Sequence, residues 1–257
     1  MGDIFRLDGS LSLVTGAAKG IGAATAKALA RQGSDVLLLS RDSQGMEAVA
    51  DDIRAMGRTA KLFKVDLSDL ANTEKFCEAE EETLKNVDNF VNNAGFTVFS
   101  SFMQSSLRDF DSLVGVNVKS AVVLTQKIAG YMAERGRGSI TFVTSVNALS
   151  PLPTQAFYSS TKAMLEALMK TAASELAGHG IRVNSVVPGA IMTDMNSHFT
   201  PERAAEVSAR IPCGRIGSPE EVADVVAFMC SDAARYMYGS SVVVDGGALL
   251  RSYIKQN

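Results

Sequence analysis

The chain has 257 residues, a formal net charge of −3 at pH 7, 46% hydrophobic residues and 21% charged residues, a composition typical of globular proteins. It contains no Lys/Arg-rich block, and its three cysteines and two histidines show no metal or redox spacing, so we expect neither a nucleic-acid partner nor a metal. It also shows no secretory signal and no apolar run long enough to cross a bilayer, which predicts a cytoplasmic protein without a membrane partner.

Short apolar runs alternate with longer segments of helical period along the whole chain. The predicted strands are 11–14, 36–40, 59–65, 90–91, 139–144, 182–187 and 241–244, and the predicted helices are 21–32, 44–56, 71–84, 106–132 and 157–177. This alternation favours an α/β fold, a Rossmann-like doubly wound parallel sheet with helices on both faces. We expect one domain over residues 1–257, in which residues 191–211 carry no strand pattern and form a substrate-lid insertion near the rim of the sheet.

A glycine-rich turn follows the first predicted strand, with the sequence Thr-Gly-Ala-Ala-Lys-Gly-Ile-Gly at residues 15–22. Glycines let the backbone turn tightly and approach a pyrophosphate, whose charge the N-terminus of the next helix stabilises. Glycines also serve ordinary tight turns, but the position between a strand and an Ala-rich helix favours a dinucleotide cofactor. We assign to this phosphate site Gly16, Ala18, Lys19, Gly20, Ile21 and Gly22.

The end of the second predicted strand bears on the choice of cofactor. Dinucleotide folds that prefer NAD place an acidic residue there, where it binds the ribose 2′-hydroxyl. This chain has Ser40 and Arg41 instead, and Arg41 together with Lys19 can bind a 2′-phosphate. Both cations are also common on solvated surfaces, and a shifted strand end would bring Asp42 to the ribose. We therefore expect a site that includes Ser40 and Arg41 and prefers NADP(H), with NAD(H) as the alternative.

Tyr158 and Lys162 lie four residues apart in the helix predicted over 157–177. Residues i and i+4 share a helix face, so the phenol and the ammonium can enter the same cleft. A free phenol has a pKa of about 10, and a neighbouring ammonium with an oxidised nicotinamide would bring it into the range of a general base. Such pairs also occur on helix surfaces without any function. Ser145, after the strand 139–144, adds a hydroxyl at the edge where ligands of such folds bind, although turns and caps also use serine.

Together these motifs resemble the short-chain dehydrogenase/reductase family over nearly the full length of the chain. The matching motifs are the glycine turn at 15–22, Asn-Asn-Ala-Gly at 92–95, Asn117 within Val-Asn-Val, Ser145, the Tyr-x-x-x-Lys pair at 158–162 and Pro188-Gly189. All occur in order at family-like separations, which is far more specific than any one motif. The resemblance extends to 3-oxoacyl-carrier-protein reductases and carbonyl reductases, and it implies an NADP-dependent oxidoreductase that acts on CH-OH donors.

The resemblance also implies the roles of individual residues. Ser145 and Tyr158 would bind the substrate oxygen, Tyr158 would exchange a proton with it, and Lys162 would bind the nicotinamide ribose and favour the phenolate. Asn117 would hold a water that links Lys162 to solvent, and a poor helix former inside a helix favours such a specific role. The remaining implied cofactor contacts are Asp66 and Leu67 at the adenine, Asn93, Ala94 and Gly95 on the adenosine side, and Pro188, Gly189, Ile191 and Thr193 around the nicotinamide.

The substrate side of the site is less well defined by the sequence. We expect Asn147, Gln155 and Met195 to contact the substrate together with Ser145 and Tyr158, although each could instead pack in the core. The two amides could bind a second polar group. This pattern predicts a small-molecule ketone or secondary alcohol with an apolar body, and it names no compound.

Two other functions remain as alternatives. A 3-oxoacyl-[acyl-carrier-protein] reductase needs a basic docking surface for its acidic carrier, and Glu175 lies where such a surface would help, although Arg135 and Arg137 are candidates. A catalytically silent cofactor-binding regulator could have lost Ser145 or Tyr158, and the complete set here disfavours it. The family resemblance also implies a homotetramer built on two-fold axes.

Overall fold

In the computed structural model, which describes residues 3–193 and 200–250, short strands alternate with helices. The strands are β1 (Leu11–Thr15), β2 (Asp35–Ser40), β3 (Ala60–Lys64), β4 (Asn89–Asn92), β5 (Gly138–Val143), β6 (Ile181–Pro188) and β7 (Ser241–Val244). The α-helices are α1 (Gly20–Arg31), α2 (Ser43–Ala55), α3 (Leu70–Ala79), α4 (Glu81–Leu84), α5 (Leu107–Val114), α6 (Ser120–Arg135), α7 (Ala156–Leu176), α8 (Pro201–Ser208) and α9 (Pro219–Cys230). The expected alternation is confirmed.

The described strands form one parallel sheet in the order β3-β2-β1-β4-β5-β6-β7. Val14 of β1 lies opposite Leu38 of β2 on one side and Val91 of β4 on the other. The chain adds β2 and β3 on one side of β1, and then begins β4 on the opposite side. Because the loops after β1 and β4 lead away in opposite directions, they leave a crevice at the carboxyl edge of the sheet. The expected Rossmann-like fold is therefore confirmed.

Two hydrophobic clusters hold the helices against the two faces of the sheet. The first contains α1, α2 and α9 residues such as Leu29 and Val226, and the second contains α3, α6 and α7 residues such as Leu124. Successive strand residues point to opposite faces, so Val186 of β6 joins the first cluster and Val183 joins the second. Strands covered on both faces need continuous apolar runs, which explains the sequence pattern.

The helix predicted over residues 106–132 is interrupted in the structure. A π-helical segment at Gly115–Lys119 separates α5 from α6, and Asn117 lies within it. Such segments insert one extra residue into a helical turn and are frequent at functional sites. No proline marks the interruption in the sequence, so a search for helix-breaking prolines does not reveal it.

The sequence pattern did not predict α9, although the start of this helix carries clear signals. Pro219 is its first residue, and Ser218 and Glu221 form a capping box. The Glu221 carboxylate accepts a hydrogen bond from Ser218 N at 2.8 Å and also binds Arg215. Burial of α9 residues beside α1 completes the first cluster.

The segment predicted to form a lid, 191–211, begins at the carboxyl edge beyond β6. Ile191 forms an isolated parallel bridge with Gly217, where Met192 N donates to the Gly217 carbonyl at 2.8 Å and Gly217 N donates to the Ala190 carbonyl at 3.0 Å. This bridge joins the first residue of the segment to Gly217, six residues beyond its last residue. Its part in covering a substrate remains a prediction.

Candidate active site

A cleft with a volume of about 790 Å³ lies at the carboxyl edge of the sheet, within the usual range for cofactor and ligand sites. All residues that the sequence assigned to the cofactor line it, namely Gly16, Ala18, Lys19, Gly20, Ile21, Gly22, Ser40, Arg41, Asp66, Leu67, Asn93, Ala94, Gly95, Tyr158, Lys162, Pro188, Gly189, Ile191 and Thr193. Sequence reasoning missed the lining residues Val65, Ser68, Ser112, Val116, Val143 and Thr144. Val65 and Thr144 directly follow β3 and β5, so their position at strand ends was a usable signal.

Hydrogen bonds join the two sides of the crevice between β1 and β4. The Thr15 hydroxyl accepts from Asn93 N and from Ala94 N, both at 3.0 Å. The Asn93 amide Nδ2 donates back to the Thr15 carbonyl oxygen at 2.9 Å. These bonds fix the glycine turn after β1 against the residues that follow β4.

The glycine turn fits a pyrophosphate group. Gly16 and Gly20 have φ values of +66° and +55°, a region that favours glycine. A Cβ atom on Gly22 would overlap the Gly16 carbonyl oxygen and lie 2.6 Å from Asn93 Nδ2. At the start of α1, Lys19 makes no side-chain capping bond to the first turn, so the first N–H groups of the helix lack a side-chain cap. A phosphate oxygen is a suitable acceptor for such groups.

Charged residues after β2 and β3 line the part of the cleft beyond the glycine turn. Arg41 and Asp42 follow β2, and Asp42 Oδ1 accepts a hydrogen bond from Gly45 N at 3.0 Å as the N-cap of α2. Asp66 follows β3 and accepts from Ser68 N at 3.0 Å and from Ser68 Oγ at 2.8 Å. These bonds, and also the charge of Arg41, lower the pKa of Asp66. The Asp42 carboxylate is thus already used by its helix.

The structure brings Ser145, Tyr158 and Lys162 together in the same cleft. Lys162 Nζ lies 5.8 Å from the centre of the Tyr158 ring and donates a hydrogen bond to the Val143 carbonyl at 2.9 Å. The Tyr158 hydroxyl interacts with the Ser145 side chain. Ser145 Oγ also accepts from Asn147 N at 3.1 Å. The Ser145 hydroxyl is therefore both a local cap and a partner of the Tyr158 side chain.

Burial shifts the pKa values of the two central groups in opposite directions. It raises the pKa of Tyr158 to about 12, which the interaction with Ser145 partly opposes. It lowers the pKa of Lys162 to about 8, which the charge of Glu166 partly opposes. Both shifts follow because desolvation disfavours the charged form. The ammonium was expected to lower the pKa of the phenol, but in the protein alone the cost of burying the phenolate is larger.

Asn117 connects the π-helical segment with two other parts of the site. Its Oδ1 accepts from Phe96 N at 3.0 Å, and its Nδ2 donates to the Phe96 carbonyl at 3.0 Å and to Thr161 Oγ1 at 3.1 Å. Thr161 in turn donates to the Tyr158 carbonyl at 2.7 Å. Asn117 therefore fixes the loop after β4 against the helix that carries Tyr158. Its implied role of holding a water remains a prediction.

Glu166 is a buried acidic residue that sequence reasoning missed. It lies on α7, four residues after Lys162, and accepts hydrogen bonds from Thr144 Oγ1 at 2.6 Å and from Ser241 Oγ at 2.7 Å. A carboxylate four residues after Lys162 was visible in the sequence. Nothing in the sequence indicated that β5 and β7 would supply its partners.

Of the other predicted substrate contacts, the structure describes Asn147 and Gln155 but not Met195. The Asn147 side chain is buried and its Nδ2 donates to Gln155 Oε1, so these two amides bind each other beside the catalytic group. Neither of them is among the residues that line the cleft. Met195 lies outside the described residues. Their contact with a substrate remains a prediction.

The basic residues considered for carrier docking lie at the opposite edge of the sheet. Arg135 at the end of α6 and Arg137 before β5 form ion pairs with Asp88, before β4, at 3.2 and 3.3 Å. These positions precede their strands, whereas the cleft lies where the strands end. The two arginines therefore do not lie at the mouth of the cleft in the same chain.

Within residues 3–193 and 200–250, no helix is both long and apolar enough to cross a membrane. The same part of the chain has no group of three or more His, Cys, Asp or Glu side chains placed to bind a metal. Cys77 and Cys230 are buried, and burial raises the pKa of each thiol to about 11. These two thiols therefore remain protonated and pack as small apolar groups.

Comparison with known proteins gives matches over almost the whole chain. A family model described as enoyl-(acyl carrier protein) reductase matches residues 16–248. L-rhamnose 1-dehydrogenase (NAD(P)+) of Azotobacter vinelandii is 40% identical over 242 residues, covering 91% of this chain and 94% of that protein. The 3-oxoacyl-[acyl-carrier-protein] reductase of Thermotoga maritima is 35% identical over 246 residues, covering 95% of this chain and 100% of that protein.

Solved structures show the same architecture. A protein from Beutenbergia cavernae, assigned as an NAD(P)-dependent gluconate 5-dehydrogenase and solved with NADP bound at low occupancy, aligns with a TM-score of 0.93 and 36% identity. The alignment covers 97% of this chain and 100% of that chain. The similarity therefore extends over the sheet, both helical layers and the cleft.

Proposed function

Because the chain belongs to the short-chain dehydrogenase/reductase family, we propose that it interconverts a small ketone and a secondary alcohol with NADP(H) and with Tyr158 as general acid and base. It is an oxidoreductase that acts on CH-OH donors, as its relatives do. The observation that carries the proposal is that Ser145, Tyr158 and Lys162 share one cleft with the glycine turn. Such a cleft can hold a dinucleotide and a substrate oxygen side by side.

The proposed chemistry divides between the cofactor and the protein. When bound, the nicotinamide supplies the hydride donor or acceptor. Tyr158 holds its proton at neutral pH, so it can donate this proton to a ketone oxygen and recover it during alcohol oxidation. Ser145 donates a second hydrogen bond to the same oxygen. Lys162 binds the nicotinamide ribose, and its charge stabilises the phenolate that forms on Tyr158.

Asn117 supports this chemistry from behind the cleft. Through Phe96 and Thr161 it holds the loop after β4 and the backbone of Tyr158 in a fixed relation. We propose that it also holds the water that returns a proton to Lys162 after each reduction. This second role comes from the family resemblance.

The proposed preference for NADP(H) depends on charge at the adenosine end of the cleft. Arg41 and Lys19 line this end, and their charges suit a 2′-phosphate. Asp42, the alternative ribose acceptor, already caps α2. Asp66 is the opposing group, because its negative charge lies close enough to interact with Arg41. NAD(H) therefore stays as a second cofactor, and the Azotobacter relative is named for both.

We propose a small molecule rather than a carrier-bound acyl group as the substrate. The carrier alternative has support from the Thermotoga relative. However, Arg135 and Arg137 pair with Asp88 at the far edge of the sheet. Docking through them would place a carrier away from the cleft of the same chain. We propose that Asn147 and Gln155 bind a second polar group of the substrate in place of the hydrogen bond that they make to each other, and that Met195 completes the contacts.

A cofactor-oxidation screen tests the proposal. The panel contains sugars, sugar acids, cyclic ketones, steroid ketones and an acyl-carrier-protein thioester, each with NADPH and with NADH. We expect turnover of at least one small ketone, with a higher kcat/KM for NADPH. Turnover of the carrier thioester alone would support the carrier alternative. Tight cofactor binding without any turnover would instead support a catalytically silent regulator.

The assembly and location of the protein are also proposals. We propose a cytoplasmic homotetramer on the basis of the family resemblance. Light scattering on the purified chain distinguishes a tetramer from a dimer, and a monomer at micromolar concentration would contradict the proposal.

A further inference from the structure

Glu166 is a buried acidic residue on the catalytic helix that the proposed reaction does not use. Glu166 is only 7% exposed. On α7 it lies one helical turn beyond Lys162 and two turns beyond Tyr158. A carboxylate is costly to bury unless other groups bond to it or balance its charge. The partners of Glu166 therefore indicate what a carboxylate contributes at this position.

Both carboxylate oxygens accept hydrogen bonds from outside α7. Oε1 accepts from the Thr144 hydroxyl at 2.6 Å, and Oε2 accepts from the Ser241 hydroxyl at 2.7 Å. Thr144 lies between the end of β5 and Ser145, and Ser241 is the first residue of β7. Glu166 thus connects the helix that carries the catalytic tyrosine with two strands, at a point adjacent to the catalytic serine.

The carboxylate also lies close enough to affect the charge state of Lys162. Residues i and i+4 share a helix face, and the charge of Glu166 raises a Lys162 pKa that burial otherwise lowers. Around Lys162 Nζ, β5 contributes the Val143 carbonyl and α7 contributes the Tyr158 ring.

The charged side chains of the other elements beside α7 are engaged elsewhere or face solvent. The exposed ones are Arg108 and Asp111 of α5, Lys119 of the π-helical segment and His179 after α7. Asp109 of α5 accepts from Ser106, and Arg182 of β6 donates to carbonyls in the last turn of α9 and just after it. Asp245 after β7 accepts from Gly247 N and Leu249 N. Glu166 is therefore the source of negative charge that acts on Lys162 among the described residues.

We propose that Glu166 is a positioning residue that ties the catalytic helix to Thr144, next to Ser145, and balances the charge of Lys162. The inference rests on the proposed function for its kinetic consequences. The hydrogen bond between Glu166 and Thr144 fixes the distance between the Ser145 hydroxyl and the Tyr158 phenol. The charge keeps an ammonium beside Tyr158, where proton donation to a ketone leaves a phenolate.

The variant Glu166→Gln keeps the size of the side chain and removes its charge. Ketone reduction needs Lys162 as an ammonium, so the rate falls as pH rises through the Lys162 pKa. We expect the midpoint of that fall to lie about one pH unit lower in Glu166→Gln than in the wild type, and kcat at pH 8, close to the Lys162 pKa of about 8, to drop about fivefold. The KM for NADPH should change less than about twofold, because Lys162 and the side chain at position 166 keep their positions.

Two further variants separate the effect of the Glu166 charge from the effect of its hydrogen bonds to Thr144 and Ser241. Ser241→Ala removes one hydrogen bond and keeps the charge, so its pH midpoint should equal that of the wild type. Thr144→Val replaces the side chain by one of similar shape and removes the hydrogen bond to Glu166 next to Ser145. We therefore expect kcat to fall severalfold without a shift of the pH midpoint. Wild-type kcat and midpoint in Glu166→Gln would overturn the proposal, and so would an equal midpoint shift in Ser241→Ala. If Glu166→Gln does not fold, wild-type kcat in both Thr144→Val and Ser241→Ala overturns it.

A measurement without turnover separates this inference from the proposed function. The chain is labelled with ¹³C-lysine, the Lys162 signal is assigned with Lys162→Met, and its titration is followed by NMR. We expect Lys162 to titrate at lower pH in Glu166→Gln, whereas the surface residue Lys27 should not move. An inactive wild type contradicts the proposed function, and a shifted Lys162 titration still supports the inference. An unchanged Lys162 titration overturns it.

Discussion

Burial shifts the pKa values of Tyr158 and Lys162, the proposed catalytic pair, in opposite directions. It raises the pKa of the phenol to about 12 and lowers that of the ammonium to about 8. At neutral pH the phenol therefore holds the proton that a ketone oxygen needs. The ammonium still carries most of its charge at that pH, and it loses this charge in mildly alkaline solution. Proton donation should consequently be easier below about pH 8 than above it.

Tyr158→Phe removes the hydroxyl that is proposed to donate and recover the proton. We expect kcat to fall by a factor of about 10² to 10⁴, because a positioned acid contributes about that much. Cofactor affinity should stay close to that of the wild type. Tyr236→Phe is the control, since Tyr236 is 96% exposed and should leave kcat unchanged. Near-normal turnover in Tyr158→Phe would remove this residue from the acid–base role.

Arg41→Ala tests the cofactor preference at the adenosine end of the cleft. Losing a charged contact to a 2′-phosphate should raise the KM for NADPH by about tenfold or more and leave the KM for NADH nearly unchanged. Arg54→Ala is a matched control, because Arg54 pairs with exposed carboxylates on α2. Equal effects on the KM for NADPH and for NADH would show that Arg41 does not bind the 2′-phosphate.

At the scale of elements, the start of α1 illustrates how packing restricts a residue choice. Gly22→Ala would push a methyl group into the Gly16 carbonyl and the Asn93 amide. We expect a stability loss of about 1–3 kcal/mol and at least about tenfold weaker NADPH binding, because the turn must move away from its phosphate-binding shape.

Gly130→Ala is the matched control for the same change of residue. Gly130 lies within α6 with no atom close to its missing Cβ. Alanine there should stabilise the helix by about 0.5–1 kcal/mol. Urea unfolding and NADPH titration of both variants measure these effects. Equal behaviour of the two variants would contradict the steric argument.

Arg182 of β6 stabilises the end of α9 from within the protein. Its guanidinium donates to the carbonyls of Met229, Cys230, Ser231 and Ala234 at 2.7–3.3 Å. Arg182→Met leaves these carbonyls without that donor, so we expect a loss of about 2–4 kcal/mol in the free energy of unfolding. Since Arg182 lies near the amino end of β6, kcat should be retained at low temperature. A stability like that of the wild type would contradict this account.

The sequence allowed the strands and the catalytic helix to be predicted because their signals are local. Continuous apolar runs marked β1, β2 and β6, and the spacing of Tyr158 and Lys162 placed them on one face of α7. The π-helical segment and the partners of Glu166 could not be predicted, because both depend on contacts between distant parts of the chain. By contrast, α9 carried a readable capping box at Ser218, so its omission was avoidable.

At the scale of the whole molecule, the cleft combines both halves of the sheet. The glycine turn and Arg41 come from the β1–β3 half, whereas Ser145, Tyr158 and Lys162 come from the half that begins with β4. Only the folded sheet brings these residues together. A ligand that binds across the two halves should therefore stabilise the entire fold.

NADPH at about 100 times its Kd should add about 2.7 kcal/mol to the free energy of unfolding, which corresponds to a rise in Tm of about 5–10 °C. NADH at the same concentration should give a smaller rise. A thermal-shift series over cofactor concentration measures both. Gly22→Ala serves as the control with weakened binding, and a rise in Tm equal to that of the wild type would indicate binding outside the cleft.

The bridge between Ile191 and Gly217 has a consequence for how this chemistry can change. The chain leaves and rejoins the sheet edge at one point, so the length between residues 192 and 216 does not alter the position of that edge. The entropic cost of a longer loop grows only slowly with its length. A stretch of different length and sequence can thus be grafted between Thr193, which lines the cleft, and Ile211, which is buried, while Tyr158 and Lys162 stay in place. Exchange of one stretch of chain would then transfer the proposed hydride chemistry to new compounds.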